Sequence, residues 1–127
     1  MTLKDCKVEA IIAATDMAKA KEFYEGALGL SGGPETQDGG ITYECAEGTL
    51  IHVYPSEHAG KSGATVAAWA TEDVDGTVDE LASKGVHFEQ YDMDPIKTNE
   101  KGIAEFGGDR IAWFKDPDGN ILAVGSA

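Results

Sequence analysis

Ile111-Ala-Trp-Phe-Lys-Asp-Pro-Asp-Gly-Asn-Ile-Leu-Ala-Val124 is the stretch on which the fold turns. Two short runs of β-branched and aromatic residues, Ile111–Phe114 and Ile121–Val124, flank a set of turn formers, which predicts a hairpin. Asp116 can bond nearby backbone, Pro117 fixes φ at the second turn position, and Gly119 accepts a conformation other residues resist. The second run carries Ala123, a methyl group at a place where a reactive side chain would have been available for chemistry.

Upstream of this hairpin the chain reads as the same order of elements twice. Val8–Ala14 is nearly all apolar, the pattern of a strand covered on both faces, with Glu9 as the exception. Asp16 offers an N-cap, Ala20, Phe23, Tyr24, Ala27 and Leu28 follow at helical spacing, and Gly29 is a stop. Ser31 to Gly40 is a loop, and Ile41–Cys45 with Thr49–Tyr54 read as a hairpin across Glu47 and Gly48. After the linker from Pro55 to Gly63 comes a second apolar strand, Thr65–Ala70. It is followed by an N-cap at Asp73 and a helix marked by Val74, Thr77, Val78, Leu81 and Ala82. Gly85 ends that helix. Val86–Tyr91 is expected as a strand, Asp92 to Lys101 as a charged loop broken by Pro95, and Ile103–Phe106 as a further strand.

The repeat is therefore strand, helix, three strands, twice: module one over 1–58 and module two over 64–127, within a single domain. Asp16 matches Asp73, a shift of 57 residues, and Gly48 matches Gly119, a shift of 71. The 14-residue difference places one lengthened loop between Asp92 and Arg110. The expected class is α+β, two βαβββ modules forming a curved mixed sheet around a barrel-like cavity. One helix covers only one face of each sheet, so each half needs a partner, within the chain or in a homodimer.

A chain of 127 residues suits one compact domain, and no apolar run approaches membrane-spanning length. The first residues show no secretory pattern, so a cytoplasmic location is expected. Cys6 and Cys45 are too few and too isolated for a disulfide framework. With 23 acidic against 10 basic residues the formal net charge is −13, which argues against a nucleic-acid partner and would draw in a cationic small molecule.

Two segments now carry a resemblance. Asp16-Met-Ala-Lys-Ala-Lys-Glu-Phe-Tyr-Glu-Gly-Ala-Leu-Gly-Leu30 and Phe114-Lys-Asp-Pro-Asp-Gly-Asn-Ile-Leu122 resemble the paired signatures of the vicinal oxygen chelate superfamily. That superfamily includes glyoxalase I, extradiol dioxygenases and bleomycin-resistance proteins. The resemblance implies a small-molecule cavity and, in the metal-using members, one ligand from the first and last strand of each module. Those positions fall here on Glu9, His52, Val66 and Ala123. Valine and alanine bind no metal, and a catalytic ion normally has at least three protein ligands. No metal or other cofactor is therefore expected, unless an outside group such as Glu44 or Glu105 supplies the missing ligand.

The expected function is metal-free binding of an organic ligand, with a cationic one suiting the acidic surface; the alternative is a lyase, isomerase or dioxygenase-like enzyme using Glu9 and His52, with or without a divalent ion. Glu9 reads as a cavity carboxylate if the first strand spans it, or as a solvated residue if it does not. His52 stands among apolar strand residues, on the face of Leu50 and Tyr54, as an acid/base group or as a hydrogen-bonded structural histidine. Paired with Glu9 it would form an acid/base couple without metal. Tyr54, Trp69, Tyr91 and Trp113 offer aromatic walls or ordinary core packing. Arg110, the only arginine, offers a grip on a ligand carboxylate or a surface charge beside Asp109. His58 and His87 read as solvated, and Gly107-Gly108 as a flexible point for a flap.

Overall fold

The computed structural model describes residues 2–127, without the side chain of Phe106. The chain falls into two compact units, one ending at Lys61 and the other running Ser62–Ala127.

In the first unit β1 (Glu9–Ala14) leads into α1 (Met17–Lys21). The Asp16 carboxylate caps it by accepting from the amides of Ala18 and Lys19 at 3.0 and 3.2 Å, which satisfies donors that a helix start leaves free. The helix widens into a π turn, Glu22–Ala27, and the Leu28 amide donates to the Phe23 carbonyl five residues back. β3 (Leu50–Pro55) lies at the centre of a three-stranded sheet, parallel to β1 and antiparallel to β2 (Ile41–Glu44). Alternation sends Ile12, Ala14, Tyr43, Ile51 and Val53 to the helix side, where Tyr24 stacks on Tyr43 at 6.0 Å. The Tyr43 hydroxyl donates to Glu25 at 3.0 Å. Burial, with Glu25 beside it, holds that phenol well above the usual range.

The second unit repeats the plan. β4 (Thr65–Thr71) precedes α2 (Val74–Ser83), whose cap Asp73 accepts from the Gly76 amide at 2.9 Å. The sheet runs β4-β9-β8-β7, with β7 Ile103–Phe106, β8 Asp109–Lys115 and β9 Ile121–Ser126. Ala112, Phe114, Leu122 and Val124 are buried beneath α2, together with its Val74 and Val78. The β8–β9 turn forms as its residues predict. Asp116 accepts from the amides of Asp118 and Asn120 and from the Asn120 side chain, and Gly119 takes φ 87°.

Three expectations need correction. Val86–Tyr91 is not a strand: it makes a single bridge, Phe88 to Phe114, and the Glu89 amide donates to the Trp113 carbonyl. Asp92 to Lys101 is not plain loop but contains a short hairpin, β5 (Asp92–Met93) against β6 (Ile96–Lys97). In unit one Ser31 to Gly40 is the expected loop apart from a single bridge, Gly32 to Tyr43, in a segment where Gly and Pro34 weaken any ladder. The curved barrel-like sheet is found as separate open sheets, because the described residues of β1 and β4 each pair on one side only. No described sheet closes into a barrel.

Candidate functional site

The face of the β1-β3-β2 sheet turned away from α1 carries polar side chains. Registers set them in rows: Glu9 with Leu50 and Glu44, then Ile11 with His52 and Thr42, then Ala13 with Tyr54. Ile11 is 52% exposed on this face, and Tyr54 is half-buried with its ring stacked on His52 at 6.2 Å.

His52 is held at both ring nitrogens. Nε2 lies 2.7 Å from Asp38 Oδ2, and Nδ1 lies 2.9 Å from the Thr42 hydroxyl. Asp38 is itself fixed, since its other oxygen accepts from the Thr36 hydroxyl and from the Gly40 amide. The Thr36 hydroxyl, then His52 and the Gly40 amide, hold the Asp38 carboxyl down at about 2. An ionised carboxylate only accepts, so Nε2 carries a hydrogen, and in a neutral imidazole the lone pair then sits at Nδ1. That tautomer follows from the hydrogen-bond network.

Glu9 is on β1 and exposed, on the same face as His52 but one row away. No hydrogen bond joins the two among the described residues, and both imidazole nitrogens already have other partners. The Glu9–His52 couple is therefore not formed; the carboxylate on the ring is Asp38. Sequence reasoning passed over Asp38 because it stands in a Gly- and Pro-containing loop. Its signal was the Asp38-Gly-Gly turn leading into β2, and for Thr42 the period-two step that puts it beside His52.

Unit two presents a different face away from its helix. Ala104, Trp113 and Ala123 form a buried cluster there, with Tyr91, Ile96, Ile111 and Ile121 packed against it. Tyr91 meets Trp113 edge to face at 5.4 Å, so the segment between α2 and β7 covers this corner. Ala123, 0% exposed, registers with Trp113 and with Ala68, while Val66 sits at an irregularity in the β4–β9 pairing. Trp69 and Arg110 lie on the opposite, helix-covered side. Trp69 stacks on Phe114 at 6.4 Å, and Arg110 grips both carboxylate oxygens of Asp75 on α2 and pairs with Glu105. Arg110 and Glu105 rim a shallow depression of about 330 Å³ with Gly107 and Gly108. His58 and His87 are exposed, as expected.

The donor set does not suit the divalent ion used by metal-dependent relatives. Two of the four positions are hydrocarbon, His52 has both nitrogens engaged, and Glu105 is turned to Arg110 on the helix side. Among the described residues no three His, Cys, Asp or Glu side chains group closely enough to hold a metal.

Paired units with one helix each and an antiparallel hairpin closing the chain define a fold class, which by itself fixes no function. The family described as Glyoxalase/Bleomycin resistance protein/Dioxygenase superfamily matches residues 8–124, and the chain belongs to it. No curated protein matches the chain. Among solved structures, UcmS2 is similar with TM-score 0.74 at 18% identity, covering 96% of this chain and 98% of that one. TnmS3, an antibiotic binding protein from Streptomyces sp. CB03234, gives 0.69 at 20% identity over 95% and 94% of the two chains. The oxidase ChaP-H2 gives 0.64 at 21% identity over 96% and 93%. At these identities the likeness is one of fold. No helix among the described residues is long and apolar enough to cross a membrane.

Proposed function

We propose that this protein binds a small organic molecule without a metal ion, using the accessible face of the β1-β3-β2 sheet. Glu9, His52 and Tyr54 touch the guest, and Ile11 gives it apolar surface. Tyr91 and Trp113 brace one another in the apolar corner, and Trp69 and Arg110 pack against the α2 side. The observation that carries this reading is Ala123: it has no exposed surface and packs with Trp113 and Ala104, so that corner has no room for a chelating group. An excess of 23 acidic over 10 basic residues favours a cationic guest. TnmS3, whose fold is similar, is described as an antibiotic binding protein. We place the protein in the cytoplasm as a homodimer.

Calorimetric titration with a cationic glycopeptide of the bleomycin type tests this, run with and without a chelator. Binding that ignores the chelator and weakens in His52→Ala and Tyr54→Ala is expected. One tightly held divalent ion per chain, lost in His52→Ala, would overturn it.

A second reading is a metal-free lyase or isomerase, favoured by the Asp38 carboxylate on His52, the arrangement that orients a general base. Chelator-resistant turnover of a thiol–ketoaldehyde adduct, abolished in His52→Ala, would select it over simple binding.

A further inference from the structure

Thr42 is the group on this face that neither the family positions nor the proposed contacts assign. It is half-buried, on β2, directly across from His52 in the register. A hydroxyl has one hydrogen and two lone pairs. With Asp38 ionised and fixed by Thr36 and Gly40, His52 Nε2–H is committed to Asp38, and in the neutral imidazole Nδ1 is an acceptor. Thr42 can satisfy Nδ1 only by giving it the hydroxyl hydrogen, at 2.9 Å. What the hydroxyl then offers to anything above the sheet is acceptor capacity alone.

We propose that Thr42 Oγ1, polarised as a pure acceptor by the His52–Asp38 pair, determines specificity on this face by selecting an organic ammonium that still carries an N–H. The proposal rests on the metal-free binding reading above. The atom lies across from His52, whose ring stacks on Tyr54, and Leu50 shares the face one row along β3, so a guest that covers it removes water from it. A guest with an N–H replaces that water bond; one without leaves the acceptor unpaired, and sites built on such a bond reject analogues that lack it. Anionic groups meet lone pairs, the Asp38 carboxylate on His52 and the carboxylate of Glu44 one row along β2, so carboxylate and phosphate guests are disfavoured by charge as well.

Benzylammonium and benzyltrimethylammonium carry the same charge and ring, and only the first has N–H donors. Each is titrated into the full chain at about pH 8, above the usual imidazole range, with nitrogen-15 spectra read at Thr42, His52 and Tyr54. Benzylammonium is expected to shift all three and to bind roughly tenfold tighter than its quaternary analogue, one charge-assisted hydrogen bond's share. Thr42→Val abolishes that preference, and Thr42→Ser, which keeps the hydroxyl, retains it. In the free protein the His52 nitrogens report the Nε2–H tautomer. Equal binding of the two probes, a preference that survives Thr42→Val, or an Nδ1–H tautomer overturns the inference. If the glycopeptide titration succeeds while benzylammonium leaves the face unshifted, the inference falls and metal-free binding stands. A chelator-sensitive response to either probe would instead remove the binding reading itself.

Discussion

The two units share a plan and differ in the sheet face their helix leaves bare. In unit one that face is polar: Glu9, Glu44, Thr42, His52 and Tyr54, with Ile11 half open. In unit two the corresponding face is apolar: Trp113 and Ala123 are buried with Tyr91, Ile96 and Ile111 packed against them, and Ala68 on β4 is exposed. The lengthened segment between Asp92 and Arg110 explains part of the contrast, since it holds Ile96 and the hairpin packed over the cluster. Duplication supplies the scaffold twice; a loop insertion and two hydrocarbon residues, Val66 and Ala123, specialise one copy for packing.

The comparison can be broken most strongly at Trp113. Trp113→Ala should cost about 4 kcal/mol in urea unfolding, as expected for a large aromatic lost from a packed cluster, whereas Tyr54→Ala should cost about 1 kcal/mol. Equal losses would erase the distinction between the faces. Introducing carboxylates probes the same asymmetry. Ala123→Glu puts an unpartnered charge where there is no exposed surface and should destabilise by on the order of 3 kcal/mol. Ile11→Glu, at a position 52% exposed, should stay within about 0.5 kcal/mol by the same assay.

Smaller effects sharpen the polar side. Tyr43→Phe should lose about 1 kcal/mol at neutral pH, the net worth of the bond to Glu25. Because the folded phenol titrates above its unfolded value, its contribution holds below the usual phenol range and fades as pH rises through the raised value. Tyr43→Phe should therefore flatten the alkaline arm of the stability curve.

The gentlest test is Asp38→Asn. The carboxyl titrates at about 2 in the fold against 3.8 ordinarily, so its contribution is complete above about pH 4 and is lost as pH falls toward 2. The variant should lose stability near neutral pH, where that contribution is complete, and show less acid destabilisation across that window, measured by circular dichroism.

Much of this was legible along the chain. Asp16 and Asp73 announced the helix starts because a side-chain oxygen there satisfies amides that any helix start exposes. Asp116, Pro117 and Gly119 announced the hairpin because their preferences are local and survive in any context. The repeat and the α+β class followed from those anchors. The Val86–Tyr91 strand did not form because a strand needs a partner, and Phe88 alone finds one on β8.

What the residues could not disclose were the pairings made across the fold. His52 read as a partner for Glu9 because both are polar in apolar strands, yet β pairing leaves them a row apart and a loop 14 residues earlier delivers Asp38 instead. Arg110 read as a grip for a ligand, but its place in β8 turns it under α2 to Asp75. Local chemistry is written in neighbours along the chain; which carboxylate meets which cation is decided by register and strand parity, and those exist only once the sheet has formed.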